Sequence, residues 1–377
     1  MKIVADENIP LLDGFFAPLC QDLVTLPGRK MSNADVADAD ILLVRSITKV
    51  DQALLQGSKV RFVGTCTIGT DHLDTDYLEQ AGIKWANAPG CNAKAVVDYV
   101  LSCMLVISEM KQRSIRDMSV GIVGAGNVGG MLLETLTQVG VEAIAYDPNI
   151  EGLDSEELKT AVWQQDIVTL HTPITKEGEH KTFHLVDDAR LSSMKPNAVL
   201  INSCRGAVID NQALLRHIRE VKTFSAILDV FEEEPSPNDE LLTRCLLATP
   251  HIAGYSLDGK YQGSAMIYDA LCEFLALPRR TKLEQLIPEA QLRKVSFSSE
   301  SEEEFVLQKM IRSGYDVRDD HYRMKSLLGL SDEEKAKAFD LLRKNYPVRR
   351  DLNRLVASAR NIRGNYMLEA LGIKMKS

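Results

Sequence analysis

The sequence predicts an α/β protein with two Rossmann-like parallel-sheet domains and a small C-terminal α+β domain. Short apolar runs alternate with amphipathic stretches through the first three quarters of the chain, which favours parallel sheets joined by right-handed crossovers. A long apolar helix at about residues 93–109 divides this alternation into two series. After Pro278 the composition changes, with a Ser/Glu-rich stretch at 298–304, and the 377 residues exceed one core of ordinary size.

The individual elements follow from the periodicity of apolar residues. Buried strands are predicted at residues 2–5, 41–44, 60–64, 120–123, 143–146, 167–170, 198–201 and 225–229. Besides the helix that divides the two series, helices are predicted at 134–139, 212–219 and 256–277. Beyond residue 277, the apolar pattern typical of strands is poor until residues 305–311, where it returns. The expected domains are 1–95 completed by about 256–285, then 96–255, and finally 286–377.

Composition and charge exclude several classes of function. A net charge of −9 argues against non-specific nucleic-acid binding, and it requires locally clustered cations for any anionic substrate. The 7 cysteines are scattered and form no CxxC pair, so we expect reduced thiols in the cytoplasm rather than disulfides or a metal site. The amino terminus lacks signal-peptide architecture, and the longest apolar stretch, around 99–107, is too short to span a bilayer.

The motif GIVGAGNVG follows a predicted strand and opens a predicted helix. Gly124 permits the tight turn, Gly126 lets the backbone approach a pyrophosphate, and Gly129 lets the helix pack on the sheet. Asn127 and Val128 lie at the start of that helix, whose amides and positive dipole end face the phosphates. The pattern predicts a dinucleotide site.

An acidic residue directly after the next predicted strand strengthens this prediction. Asp147 ends the run at 143–146, at roughly the distance where an acid accepts hydrogen bonds from the adenosine ribose hydroxyls. Pro148 follows it, so no arginine stands ready for a 2′-phosphate. NAD is therefore favoured over NADP as the cofactor.

Three polar motifs follow later strands of the second series, where ligands of an open parallel sheet bind. They are NSCRG, DVFEEEP and TPHIAG, and they supply Arg205, Glu234 and His251. A histidine titrates in the range useful for taking a hydroxyl proton, and a neighbouring carboxylate fixes its ring. An arginine pairs with a planar carboxylate in a bidentate manner. We assign His251 as acid/base, Glu234 as its partner and Arg205 as the substrate carboxylate clamp.

Each of these three residues also has a simpler reading. A loop histidine, an arginine after a strand and a run of glutamates are usually solvated surface residues. Their joint placement after a dinucleotide motif favours catalysis, specifically hydride transfer at C2 of a 2-hydroxy acid.

With these motifs in this order, residues 1–280 resemble the D-isomer-specific 2-hydroxy-acid dehydrogenase family. The resemblance implies a split substrate-binding domain around an inserted NAD domain, an Arg–Glu–His catalytic set and a homodimer. It also implies cofactor contacts from Asp147, Thr172, Asp229 and Gly254, and substrate contacts from Ser46, Thr67 and Tyr255.

A closer resemblance, to one branch of that family, rests on further segments. They are KIVADENIP, PGCNAKAVVDYV, HIAGYSLDGK, and in the tail YDVRDD and FDLLRKNYPVRR. This branch implies a phosphorylated four-carbon 2-hydroxy acid as substrate, in vitamin B6 biosynthesis. It also implies tightly held NAD, with 2-oxo acids as possible electron acceptors, and a tail that dimerises the protein.

Loops of the first series are expected to hold part of the substrate. In VRSITK, Arg45 or Lys49 can supply charge, although serines and threonines in such loops commonly cap helices instead. Arg349 and Arg350 in the tail could add to a phosphate site across a dimer, but solvated or interfacial roles are favoured for both.

Two alternatives to this function remain open. One is another enzyme of the family, chiefly 3-phosphoglycerate dehydrogenase, because the VRSITK pattern marks a phosphorylated hydroxy acid in general. The other is a non-enzymatic NAD-sensing protein built on the same fold.

Overall fold

The computed structural model describes residues 1–358 and 365–376, which form two compact units. The first unit comprises Met1–Asn92 and Ser256–Glu289, and the second comprises Ala93–Tyr255 and Ala290–Ser377. The tail after residue 290 thus belongs to the same compact unit as the glycine motif.

Within the described residues, strands and helices alternate as follows. The strands are β1 (Lys2–Asp6), β2 (Asp22–Leu26), β3 (Ile41–Val44), β4 (Phe62–Thr65), β5 (Lys84–Ala86), β6 (Ser119–Val123), β7 (Glu142–Tyr146), β8 (Ile167–Leu170), β9 (Val199–Asn202), β10 (Ser225–Leu228), β11 (Leu247–Ala248), β12 (Lys294–Ser296), β13 (Val356–Ser358) and β14 (Lys374–Lys376). The helices are α1 (Leu12–Phe15), α2 (Asn33–Val36), α3 (Gln52–Leu55), α4 (Thr75–Gln80), α5 (Ala93–Lys111), α6 (Asn127–Gln138), α7 (Glu156–Ala161), α8 (Asp188–Ser193), α9 (Asn211–Glu220), α10 (Asp239–Arg244), α11 (Leu257–Phe274), α12 (Leu283–Leu286), α13 (Glu303–Gly314), α14 (Val317–Met324), α15 (Asp332–Lys344) and α16 (Asn365–Ala370).

The first unit is built on a parallel sheet with the strand order β2-β1-β3-β4-β5. Its central strand β3 is apolar and buried at every position because both faces of the sheet are covered. Ile3 and Leu43 pack into one cluster with Phe15 and Tyr268, whereas Leu42 packs into the cluster on the opposite face.

The second unit contains a parallel sheet with the order β11-β10-β9-β8-β6-β7. Strand β7 pairs with one edge of β6, and β8 pairs with the opposite edge of β6. The order in which strands are added therefore reverses at β6. This reversal is the topological switch point at which open α/β sheets bind ligands. The carboxyl ends of β6, β8, β9 and β10 therefore define where a site is expected.

In its described residues, the tail adds a three-stranded parallel sheet, β12-β13-β14, and four helices to the second unit. Val306 and Ile311 of α13 join the apolar cluster of α5 and α6. Met324, Leu327 and Phe339 join the cluster on the opposite face of the six-stranded sheet. The tail is thus packed into the core of this unit.

The fold class predicted from the sequence is confirmed, and all eight predicted apolar runs are strands. The sequence missed β2, β5 and β11 of the two large sheets, as well as the three short strands β12, β13 and β14 of the tail. The edge strand β2 exposes Asp22 and Thr25, so it carries no continuous apolar run, and β11 has only two residues. The expected strand periodicity at 305–311 was wrong: these residues form part of α13, and Val306, Leu307, Met310 and Ile311 are buried at helical spacing.

Two further findings concern the described part of the chain. No helix in it is both long and apolar enough to cross a membrane. All seven cysteines lie in it, and each is a free thiol.

Candidate active site

The glycine motif forms the turn from β6 into α6. Gly124 has φ +88°, a conformation that other residues rarely adopt, and its N–H donates to the carbonyl of Tyr146 at 2.9 Å. A Cβ on Gly129 would lie 1.9 Å from the carbonyl oxygen of Gly124, so only glycine permits this close packing. A Cβ on Gly126 would meet nothing within 4 Å. The turn is therefore closed on its protein side and open at Gly126, as a pyrophosphate requires.

Asp147 lies directly after β7 and is joined to this turn. Its Oδ2 accepts a hydrogen bond from the N–H of Ala125 at 2.9 Å, and its Oδ1 accepts one from the N–H of Asn149 at 2.9 Å. Each oxygen keeps a further lone pair for a ribose hydroxyl. Asn127 and Val128 form the first turn of α6 beside it, and Asn127 is exposed.

The end of β8 completes the switch point. The N–H of His171 donates to the carbonyl of Val123 at 2.8 Å, and the hydroxyl of Thr172 lies 4.0 Å from the thiol of Cys204. Burial lowers the pKa of His171 to about 3. This environment favours the neutral form of its ring.

Arg205 is presented by a tight turn after β9. The side chain of Asn202 shapes that turn, because its Oδ1 accepts from the N–H of Cys204 at 3.1 Å and its Nδ2 donates to the carbonyl of Arg205 at 3.0 Å. A Cβ on Gly206 would lie 2.0 Å from the carbonyl oxygen of Phe231, so the turn packs directly on the strand end that precedes Glu234. Arg205 is half-buried, and its Nη1 donates to the carbonyl of Cys204 at 2.8 Å.

His251 and Glu234 form a hydrogen-bonded pair. The Nδ1–H of His251 donates to Oε2 of Glu234 at 2.8 Å, and the other carboxylate oxygen accepts from the N–H of Phe231 at 2.9 Å. The Glu234 side chain is 22 % exposed and that of His251 is 36 % exposed. Because Nδ1 is hydrogen-bonded to Glu234, Nε2 is the nitrogen available to a substrate hydroxyl.

Asp229 holds the loop of residues 249–255, here called the histidine loop. Its buried carboxylate accepts from the hydroxyl of Thr249 at 2.6 Å and from the N–H groups of Ile252 and Ala253, both at 2.8 Å. Its backbone carbonyl accepts from the N–H of His251 at 2.8 Å. Burial raises the pKa of Asp229. The predicted contact of Asp229 with the cofactor stays a prediction, as does that of Gly254 at the end of the loop.

The predicted substrate residues of the first unit lie after β3 and β4. Ser46 is exposed, and the hydroxyl of Thr67 lies 2.8 Å from that of Thr65. Arg45 forms an ion pair with the buried carboxylate of Asp6 at 3.3 Å. Lys49, by contrast, has an 82 % exposed side chain and pairs with Asp51 at 2.8 Å. Arg45 is thus the less exposed of the two cations that VRSITK offers.

The sequence missed Lys260 as a candidate cation. It lies in the first turn of α11, in the same unit as Arg45. Although the residue is exposed, desolvation by the surrounding protein lowers the pKa of Lys260, and the positive charge of Arg45 lowers it further. Two cations that repel each other in this way favour a shared anion. The position of Lys260 in HIAGYSLDGK, nine residues after His251, was the only available signal.

Tyr255, in the second unit, is held by the tail. Its hydroxyl accepts a hydrogen bond from Nη2 of Arg343 at 3.0 Å, and its ring packs edge-on against Tyr346 with centroids 5.8 Å apart. Sequence patterns did not indicate these partners, because they lie about 90 residues further along the chain.

Arg349 corrects an expectation from the sequence. Its side chain is buried and donates to backbone carbonyls of the same unit, so it is neither solvated nor presented to a substrate phosphate across a dimer. The neighbouring Arg350 is half-buried.

Comparisons with known proteins agree with this site. Residues 106–253 match the family described as D-isomer specific 2-hydroxyacid dehydrogenase, NAD binding domain. A protein of Pseudomonas fluorescens named erythronate-4-phosphate dehydrogenase is 49% identical over 359 residues, covering 94% of each chain. The chain belongs to the erythronate-4-phosphate dehydrogenase family. A member from Pseudomonas paraeruginosa is 45% identical over 381 residues and covers 100% of both chains.

The family assignment confirms the resemblance seen in the sequence, including the branch suggested by the tail. It makes the chain an NAD-dependent 2-hydroxy-acid dehydrogenase and an oxidoreductase. The tail of this erythronate-4-phosphate dehydrogenase family member, residues 286–372, matches a domain of unknown function (DUF3410).

Solved structures share the fold. The NAD-bound 3-phosphoglycerate dehydrogenase of Entamoeba histolytica has a TM-score of 0.62 and 24% identity, covering 73% of this chain and 95% of that one. The D-lactate dehydrogenase of Aquifex aeolicus, complexed with NAD and lactic acid, has a TM-score of 0.57 and 22% identity, covering 73% of this chain and 96% of that one. Both cover about three quarters of the chain.

Proposed function

We propose that the protein oxidises 4-phospho-D-erythronate at C2 to 2-oxo-3-hydroxy-4-phosphobutanoate, in the biosynthesis of pyridoxal 5'-phosphate. The observation that carries this proposal is the Glu234–His251 pair, in which Nδ1 of His251 lies 2.8 Å from Oε2 of Glu234. The names of the curated relatives, which specify erythronate 4-phosphate, support the choice of substrate. When bound, NAD accepts the hydride that leaves C2.

His251 takes the proton of the C2 hydroxyl through Nε2. Glu234 binds Nδ1–H, which fixes both the tautomer and the orientation of the ring. It also stabilises the imidazolium that forms when the proton arrives. In the reverse direction the same nitrogen returns the proton to the oxygen of the 2-oxo acid.

Arg205 binds the C1 carboxylate of the substrate. Its planar guanidinium matches a carboxylate with two parallel hydrogen bonds, which orients C2 as well as neutralising charge. The Asn202 bonds and the contact between Gly206 and Phe231 define the turn that carries it, so the guanidinium starts from a defined position.

The phosphate is neutralised by Arg45 and Lys260, and Ser46, Thr67 and Tyr255 bind further oxygens of the substrate. A protein with a net charge of −9 repels a phosphorylated acid unless cations are gathered locally. The two cations belong to one unit, and after desolvation the positive charge of Arg45 contributes to the lowered pKa of Lys260.

NAD is held by the glycine turn and by Asp147. Gly124, Gly126 and Gly129 shape the turn, with Asn127 and Val128 at the helix start, and the Asp147 carboxylate receives the ribose hydroxyls. Thr172, Asp229 and Gly254 contribute around the nicotinamide. We further propose that the protein acts in the cytoplasm as a homodimer, with NAD held tightly and reoxidised by a 2-oxo acid; the free thiols support the compartment.

Turnover with a panel of hydroxy acids tests this function. Purified protein is mixed with 4-phospho-D-erythronate, 3-phosphoglycerate or erythronate, with and without a 2-oxo acid, while nicotinamide absorbance is recorded. We expect turnover only with 4-phospho-D-erythronate. Preference for 3-phosphoglycerate would replace the substrate but keep the chemistry, whereas bound NAD without any turnover would favour an NAD-sensing protein.

A further inference from the structure

The histidine loop is held from two sides by buried charges. Asp229 binds the N–H groups of Ile252 and Ala253, as described above. Arg349 binds the carbonyl oxygens of the same two residues: its Nη1 donates to Ala253 at 3.1 Å and to Ile252 at 3.5 Å. The donors and acceptors of both residues are therefore engaged at the same time, which fixes the backbone directly after His251.

The guanidinium of Arg349 is itself firmly located. The residue is 6 % exposed, its Nη2 donates to the carbonyl of Ala95 at the start of α5, and its Cζ lies 3.7 Å from the centre of the Tyr315 ring. Such stacking on an aromatic face suits a planar guanidinium better than an ammonium. The side chain therefore joins three separate segments of the unit: the tail, α5 and the histidine loop.

The aromatic rings beside Arg349 are fixed by one carboxylate. The hydroxyls of Tyr315 and Tyr346 both donate to Oδ2 of Asp320, at 2.8 and 2.7 Å, and Oδ1 of Asp320 pairs with Arg323 at 2.6 Å. Asp320 is buried. Because Tyr346 also packs on Tyr255, this cluster reaches the last residue of the histidine loop.

Two further tail residues contact the ends of the loop. Arg343 donates to the hydroxyl of Tyr255 at 3.0 Å. His321 accepts the backbone N–H of Ala248 through Nδ1 at 3.0 Å, immediately before the loop begins. The tail thus contacts the residue that precedes the histidine loop, two residues within the loop and its last residue.

The loop requires such support because His251 has φ +56°, a left-handed conformation that costs a non-glycine residue free energy. A buried guanidinium is also costly, and an apolar side chain would often stabilise the fold as well or better. A charge retained in this position is therefore better explained by the geometry that it imposes on the loop carbonyls than by stability alone.

We propose that Arg349 is a positioning residue for the reaction, through which the tail sets the orientation of His251. The tail, whose matching domain has no described function, then contributes to catalysis within its own chain. Arg343 and Tyr346 position Tyr255 in the same way. The inference rests on the proposed function only in assigning His251 to proton transfer.

The decisive variant is Arg349→Met, which keeps an unbranched apolar stem and removes the guanidinium with its hydrogen bonds. The matched control is Arg312→Met, another tail arginine, which pairs with Glu109 on α5 and does not contact the histidine loop. Both variants are compared as full-length holoprotein, with rates normalised to bound NAD. We expect Arg349→Met to lower kcat roughly 10- to 100-fold with little change in KM, because small displacements of a catalytic group have effects of this size. Arg349→Lys should recover only part of the rate, and Arg312→Met should keep it.

Hydrogen exchange provides a readout that needs no turnover. In Arg349→Met the amides of Ile252 and Ala253 should exchange about tenfold faster, while those of α5 stay protected in both variants. Normal kcat in Arg349→Met, or loop exchange no faster than in Arg312→Met, would overturn the positioning role. Failure of the wild type to oxidise 4-phospho-D-erythronate would instead count against the proposed function, and the exchange result would still decide the role of Arg349. If Arg349→Met does not fold, Arg343→Met is measured instead, with KM for the substrate as its readout.

Discussion

Glu234 uses both of its carboxylate oxygens, one on Nδ1 of His251 at 2.8 Å and the other on the N–H of Phe231 at 2.9 Å. The second bond fixes the carboxylate to the backbone, so the first bond fixes the imidazole. This relationship separates the role of Glu234 from a simple charge effect, because a neutral amide can keep part of the geometry while losing the charge.

Glu234→Gln should lower kcat/KM by about tenfold, since the side chain still holds the ring but no longer stabilises the imidazolium. Initial rates with 4-phospho-D-erythronate measure this loss. Glu233→Gln is the matched control, because Glu233 is the exposed neighbour. Wild-type rates in Glu234→Gln would argue against the pair.

His251→Asn should reduce kcat/KM by about 10²–10⁴-fold, the usual contribution of a positioned acid/base group. The affinity for NAD should be retained, because the glycine turn and Asp147 lie on other strands. Rates and NAD titration by fluorescence provide the two measurements. His180→Asn, at an exposed position, serves as the control. Wild-type rates in His251→Asn would remove His251 from the mechanism.

Arg205→Lys keeps the positive charge but loses the planar pair of donors. We expect kcat/KM to fall on the order of 100-fold, mainly through KM, because an ammonium cannot form the two parallel hydrogen bonds to the substrate carboxylate. Steady-state kinetics with 4-phospho-D-erythronate measure this loss. The exposed Arg216→Lys, which alters an ion pair with Asp188 on the surface, should have no such effect. Equal losses in both variants would indicate a general effect on stability.

The sequence predicted the parts of this site that depend on short segments. The turn around Gly124 and the position of Asp147 follow from local backbone requirements, which leave a recognisable spacing. The bond between His251 and Glu234 was also predictable, because both residues follow neighbouring strands whose carboxyl ends meet at one edge.

Other parts of the site depend on contacts between residues far apart in the chain, and these leave no spacing to recognise. Arg349 and Ala253 are 96 residues apart, and the arginine stands beside Arg350 in a charged segment that resembles a solvated surface. The helix α13 was missed for a similar reason: its apolar residues become interpretable only when the helix is known to pack on the cluster around α5.

Lys260→Met should raise KM for 4-phospho-D-erythronate roughly tenfold if Lys260 binds the phosphate, since hydrogen bonds to charged groups contribute this much. The inhibition constant of unphosphorylated erythronate against 4-phospho-D-erythronate should not change. The control is Lys49→Met, at an exposed position paired with Asp51. Competition by inorganic phosphate provides an independent measurement, and it should weaken only in Lys260→Met. An equal rise in the inhibition constant of erythronate would contradict a phosphate-specific role.

A pair of glycine variants distinguishes a structural role from cofactor binding within one turn. In Gly126→Ala the new Cβ meets no protein atom within 4 Å, so the free energy of unfolding without NAD should stay nearly unchanged. The Kd for NAD should nevertheless rise about tenfold, because the methyl group occupies the place where the pyrophosphate approaches.

In Gly129→Ala the Cβ would lie 1.9 Å from the carbonyl oxygen of Gly124. The overlap should lower the free energy of unfolding by about 1–3 kcal/mol even without NAD. Denaturant unfolding with and without NAD, together with NAD titration, measures both effects, and equal destabilisation of the two cofactor-free variants would contradict this division of roles.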